Sequence, residues 1–181
     1  MSPPSCHLFS LAQGPEACKK TNNINVGTNS CHGEDSCNSV SDSTIYNDSC
    51  QSSACKSMQR STIHDGSCNG GQTCDSVKNS IIGKGSCNGY SSCYGMQNAT
   101  IGNGSCNGSD HGGGFSQTYG MSCEFAGIGS PVKIGNNSCN GEQVCYECKH
   151  NVPNNACNQG ITDDMTEDGY CNFCGEQPAS F

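Results

Sequence analysis

A β-branched apolar residue stands five places before a cysteine seven times along the chain, at Val26, Ile45, Ile63, Ile82, Ile101, Ile134 and Val152. A smaller or more flexible apolar group stands three places after a second cysteine, at Val40, Met58, Val77, Met96 and Ala126, with Thr21 in the first copy. Between these columns the chain is polar. A serine precedes the first cysteine at Ser30, Ser49, Ser67, Ser86, Ser105 and Ser138, and Asn-Gly follows it at Asn69-Gly70, Asn88-Gly89, Asn107-Gly108 and Asn140-Gly141. From Cys31 to Cys106 the first cysteines advance by 19, 18, 19 and 19 residues. A period of this size marks a solenoid, whose coils bury their apolar columns only against neighbouring coils. Asn and Gly tolerate positive φ, so each Asn-Gly pair predicts a tight corner between short strands. The expected fold is all-β, a parallel β-solenoid of about eight 18–19-residue coils forming one domain over residues 1–181, with regular coils in 18–106.

The cysteines also predict how each coil is closed. The second cysteine of a coil precedes the next first cysteine by 13 residues five times running. The segment inside a pair varies instead: four or five residues in the regular coils, but 11, 16 and 13 in the loops 7–17, 107–122 and 158–170. A bridge across the base of that segment lets it grow without disturbing the wall. Within-coil pairing therefore follows: Cys6–Cys18, Cys31–Cys37, Cys50–Cys55, Cys68–Cys74, Cys87–Cys93, Cys106–Cys123, Cys139–Cys145 and Cys157–Cys171. Each short loop contributes roughly 2–3 kcal/mol if unstrained. A three-residue excess between Cys123 and Cys139 predicts a bulge in the wall. Cys148 and Cys174 fall in the inward apolar column of the last two coils. Stacking sets them about one strand spacing apart, inside the disulfide range of roughly 4.4–6.8 Å, so a ninth bond, Cys148–Cys174, closes a C-terminal clamp over 139–174.

Composition changes the picture mainly by saying what replaces a large core. Only 32% of residues are hydrophobic, a level that favours disorder unless crosslinks stand in for apolar area. The 18 cysteines supply those crosslinks and point to an oxidising, extracellular compartment. The first residues lack the apolar centre of a signal peptide, so a secreted chain has its leader outside this sequence. A net charge of −8 without a basic run argues against nucleic acid and against anionic membranes as partners. No stretch is long and apolar enough for membrane insertion.

Candidate chemistry is sparse. Cys145–Cys148 and Cys171–Cys174 form a CxxC…CxxC pattern, a zinc-ribbon spacing in a cytosolic protein. The solenoid register assigns all four to disulfides, so neither metal nor cofactor is expected. His111-Gly-Gly-Gly114 has the look of an esterase oxyanion loop, but no G-x-S-x-G elbow accompanies it. The acidic loop Asp163, Asp164, Glu167, Asp168 lacks EF-hand spacing. No catalytic residues are assigned, and the chain is expected not to be an enzyme. Sequons for N-linked glycans occur at Asn47, Asn98, Asn103, Asn107 and Asn136. Asn47, Asn103 and Asn136 share one column, three places before the first cysteine, because the serine column completes each motif.

The SCNG-x-x-x-C repeats preceded by I-G-x-x resemble the cysteine-rich repeat proteins of diatoms and related microalgae over about residues 18–157. The stapled coils are similar in architecture alone to insect antifreeze β-solenoids, and that resemblance implies ice binding through a flat threonine array. Thr44, Thr62 and Thr100 are the candidate ice-face residues; Ile81 interrupts them, and Asn25 and Lys133 occupy the column at its ends. No amphipathic capping helix is legible at either end, and uncapped coils invite self-association end to end. The leading expectation is a non-enzymatic extracellular structural subunit that stacks head to tail into a glycosylated fibre. Ice binding is the alternative, and adhesion to a surface or glycan through the three long loops is the third.

Overall fold

The computed structural model describes residues 17–108, 121–141 and 144–158. Six strands form one parallel sheet in chain order: β1 (Asn22–Val26), β2 (Ser41–Ile45), β3 (Thr62–Ile63), β4 (Ile81–Ile82), β5 (Ala99–Ile101) and β6 (Val132–Ile134). The register is set by the apolar column, with Val26 opposite Ile45, then Ile63, Ile82, Ile101 and Ile134 in turn. A bridge from Ile134 to Val152 adds a seventh rung. The chain is therefore an all-β parallel solenoid, and no helix occurs among the described residues. Eight cysteine pairs predicted about eight coils; the described residues carry seven rungs, from Val26 to Val152, and residues 1–16 lie outside them.

The strands are short for a local reason. Three residues before the isoleucine, Asn23, Asp42, Arg60, Asn79 and Asn98 adopt left-handed φ of 48–53°. Three residues after it, Asn29, Asp48, Gly66, Gly85, Gly104, Asn137 and Asn155 do the same. Five residues separate two such corners; in β3, β4 and β5 pairing stays between them, whereas β1 and β2 carry it past the left-handed Asn23 and Asp42, with Asn22 opposite Ser41.

The chain does bend at the Asn-Gly pairs, at Gly70, Gly89 and Gly141, but not through the expected left-handed φ. Neither their asparagines nor Gly70 and Gly89 have a left-handed φ. Left-handed φ falls instead on the Asn/Asp/Gly column two places before the first cysteine and on the cysteines themselves, among other positions. Every described cysteine except Cys148 has φ between 52° and 62°. Such a conformation costs a residue with a β-carbon about 1–2 kcal/mol, so burial and crosslinking must offset it. Glycine follows asparagine for a different reason: a Cβ on Gly70 would lie 2.7 Å from the Asn88 carbonyl oxygen, and one on Gly89 2.6 Å from that of Gly108. The next coil simply passes too close.

Inside the coils, the isoleucines from Ile45 to Ile134 and the column Val40, Met58, Val77, Met96, Ala126 are buried, and Cys148 continues that second column. Disulfides join Cys31 to Cys37, Cys50 to Cys55, Cys68 to Cys74, Cys87 to Cys93, Cys106 to Cys123 and Cys139 to Cys145. Cys18, Cys148 and Cys157 are also disulfide-bonded. The expected bonds Cys6–Cys18, Cys157–Cys171 and Cys148–Cys174 reach Cys6, Cys171 and Cys174, which lie outside the described residues. The wall bulges at Ile128–Pro131, all exposed, before β6 rejoins the sheet with Val132 opposite Ala99. That bulge absorbs the three extra residues.

Candidate functional site

Coil stacking is made specific by side chains that bond to backbone. Each buried serine before a first cysteine donates to a carbonyl of the next coil: Ser30 to Tyr46 (2.7 Å), Ser67 to Gly83 (2.8 Å), Ser105 to Gly135 (2.7 Å). The same oxygen accepts the N–H of the next serine, as Ser67 Oγ does from Ser86 (3.2 Å). A second buried ladder, absent from the sequence reading, runs through Ser43, Ser61 and Ser80. Its hydroxyls accept the N–H groups of Ser61, Ser80 and Ala99 at 3.1–3.3 Å. Asparagines after the first cysteine form a third: Asn69 N–H donates to Asn88 Oδ1, Asn88 to Asn107 and Asn107 to Asn140, at 3.0–3.1 Å. In a buried setting each such bond matters chiefly because leaving its backbone partner unpaired would cost about 1–3 kcal/mol.

These ladders hold the outward columns in register. On the sheet, Thr44 lies opposite Thr62, Thr62 opposite Ile81, Ile81 opposite Thr100 and Thr100 opposite Lys133. The three threonines are half-buried, whereas Ile81 is 47% exposed and stands proud between them. Across the isoleucine column, Tyr46 and His64 stack their rings 5.1 Å apart at 6°. The sheet face thus carries one outward residue per rung, bordered by a raised aromatic pair.

The edge three places before the first cysteine is an amide ladder. Asn47 Oδ1 accepts the Thr28 N–H (2.9 Å), Asn103 Oδ1 that of Lys84 (2.8 Å) and Asn136 Oδ1 that of Asn103 (2.8 Å). All three asparagines are exposed. Asn98 is exposed at a corner before β5, and its Oδ1 accepts from Asn79 (3.4 Å). Asn107 differs: it is half-buried, and its Nδ2 donates to the Gly85 carbonyl (2.9 Å).

A further surface comes from residues that sequence reasoning did not single out. Tyr94, Phe125 and Tyr146 meet edge to face, with ring centroids 5.7 and 5.8 Å apart. Phe125 packs over Gly95, where a Cβ would lie 2.6 Å from its ring. Beside it runs a groove of about 370 Å³ walled by Gln59, Lys78, Gln97, Tyr94, Phe125 and Ile128. The signal that could have found it is Gly95, small where neighbouring coils carry a side chain. Burial raises the Glu124 carboxyl above its ordinary range. Burial first, and then Glu124 and Glu147, raise the Tyr146 phenol. Glu124 Oε2 and His32 Nε2 are buried without a hydrogen-bond partner among the described residues.

Among the described residues, the half-buried pair Lys56–Asp35 (3.3 Å) and the exposed pair Lys84–Asp65 (3.9 Å) join neighbouring coils, and exposed pairs of this kind contribute little to stability. Hydrogen bonds from Asn38 and then Lys56 hold the Asp35 carboxyl below its usual range. Two sets of three sulfurs lie within 4.8 Å of one another, Cys87, Cys93, Cys106 and Cys123, Cys139, Cys145. All six belong to disulfides and offer no thiolate to a metal. Cys145 of the CxxC pattern is bonded to Cys139. His111, Gly114 and the acidic loop from Asp163 to Asp168 lie outside the described residues, as does most of each long loop that contains them. No helix among the described residues is long and apolar enough to cross a membrane.

No curated protein and no solved structure matches the chain. A family model described as a domain of unknown function, DUF7640, matches residues 10–111, more than half of the 181. That span holds the regular coils, in which the disulfides, the isoleucine column and the serine ladders recur without interruption, and the chain belongs to this DUF7640 family.

Proposed function

We propose that this chain is a secreted, non-enzymatic structural protein whose solenoid stacks end to end into a fibre. The disulfide-stapled repeat supports a structural role in an oxidising compartment. The observation that supports the fibre reading is the partial exposure of the first described rung. Val26 and Ile24 of β1 stay half-exposed, although their partners Ile45 and Ser43 in β2 are buried. A further coil on that side would cover them, and the serine bonds that recur from Ser30 to Ser138 are the means by which one coil holds the next, so a second copy is the proposed cover. Negative-stain microscopy across a concentration series tests this. Filaments that disappear in Val26→Glu support it; monodisperse rods at high concentration overturn it.

Ice binding is the second reading, supported by the in-register Thr44, Thr62 and Thr100 on the sheet face. Ile81→Thr would complete that row. Thermal hysteresis that rises in this variant favours ice binding, and none in either protein removes it. The groove beside Phe125 gives an adhesion reading its support, because aromatic rings bordered by amides suit sugar faces. A glycan array with Phe125→Ala as control tests that one.

A further inference from the structure

We infer that the column three residues before the first cysteine is an acceptor edge for N-linked oligosaccharides, used at Asn47, Asn103 and Asn136, and that the sequon at Asn107 is barred. The inference rests on the reading that the chain is secreted. Its basis is which amide atom the fold uses. In Asn47, Asn103 and Asn136 the stacking bond goes to Oδ1, and Nδ2 makes no hydrogen bond among the described residues. Linkage at nitrogen leaves the carbonyl oxygen with its lone pairs, so a glycosylated side chain keeps its place in the ladder.

In the transfer, Nδ2 attacks the anomeric carbon of a diphosphate-activated oligosaccharide. The new bond is N–C1, and the C1–O bond to the diphosphate breaks. The diphosphate leaves with the electron pair, and Nδ2 gives up one proton. The sequon hydroxyls fix the timing. Ser49, Ser105 and Ser138 are buried within the serine ladder and donate to carbonyls of the next coil at 2.7–3.0 Å. They are reachable only before the coils close, so the sugars must be added to the unfolded chain and then tolerated by the fold.

Tolerance separates the sites. Asn107 spends Oδ1 on the Asn88 N–H and directs Nδ2 at the Gly85 carbonyl of the preceding coil. Glycosylation would replace one of the two hydrogens on that nitrogen, and a sugar on this half-buried side chain would crowd the preceding coil that Nδ2 now contacts. Asn98, at its separate corner, leaves Nδ2 clear and is compatible without belonging to the edge. Sugars on the column would shield one long side of the rod while leaving its ends open, which favours axial over lateral association.

The test is site mapping of the full chain expressed through a eukaryotic secretory pathway. Glycans are released enzymatically in heavy-oxygen water, which marks each formerly occupied asparagine as labelled aspartate. The secreted, fully oxidised pool should carry label at Asn47, Asn103 and Asn136, with label lost at Asn107. Chains retained in the cell should be enriched in label at Asn107. Label at Asn107 matching Asn47 in the secreted pool, or an unlabelled column in both pools, overturns the inference. The mapping does not depend on filaments, so a monomeric but column-glycosylated rod would sink the fibre reading and leave this one standing.

Discussion

The two sides of each coil are built on different physics. On the isoleucine side, strands of two to five residues pair in parallel, and a buried apolar column stacks rung on rung. On the cysteine side there is no strand among the described residues. There the chain bends through left-handed residues and is held by a disulfide and by serine and asparagine bonds to the next coil. The comparison teaches that a solenoid with little apolar mass can keep its cross-section when each bend is covalently closed. The sheet side aligns the coils, and the cysteine side gives them their shape.

If that division holds, damage to the cysteine side should matter most. Full reduction should abolish the fold, removing the circular-dichroism signal and the cooperative melt together, since each native bridge contributes about 2–5 kcal/mol. Retention of a sharp melt under reductant would transfer the main role to the sheet. On the isoleucine side, Ile82→Ala leaves a hole between Ile63 and Ile101 and should cost about 2–5 kcal/mol by denaturant unfolding. The exposed neighbour Ile81→Ala should stay within about 0.5 kcal/mol.

Ser86→Ala probes the bonds between coils. It orphans the Ser105 N–H and the Gly102 carbonyl, bonded at 3.1 and 2.8 Å, and should cost about 1–3 kcal/mol. A neutral result would mean that these groups find other partners. The smallest effect is electrostatic. Burial raises the Glu124 carboxyl, so the folded state binds its proton more tightly than the unfolded state. The resulting stability is present at low pH and is lost as pH rises through the raised value. Glu124→Gln should therefore melt higher than the parent at neutral pH, and the gap should close in acid. A gap independent of pH would contradict that origin.

Much of this was legible because the repeat samples each position several times. A single isoleucine before a cysteine says little, but seven in step fix the inward column, and constant spacing against variable loops fixes which cysteines pair. The backbone conformation at the Asn-Gly bends was misread for a physical reason. Asn and Gly fill two columns, one before and one after the first cysteine, and φ tolerance alone does not separate them. Gly70 and Gly89 are required by the closeness of the next coil, which only three-dimensional stacking reveals. The left-handed cysteines had no sequence signal, since cysteine has no preference for that region and the coil imposes it. The Ser43, Ser61, Ser80 ladder was readable but hidden among many serines. The aromatic groove depends on where the Ile128–Pro131 bulge turns, which loop length does not specify.

Disulfide mapping tests the central claim, that each coil is closed on itself, most directly. Partial acid hydrolysis of the oxidised protein followed by tandem mass spectrometry should recover Cys50 bonded to Cys55, Cys68 to Cys74 and Cys87 to Cys93. Bonds between successive coils, such as Cys55 to Cys68 or Cys74 to Cys87, would contradict it.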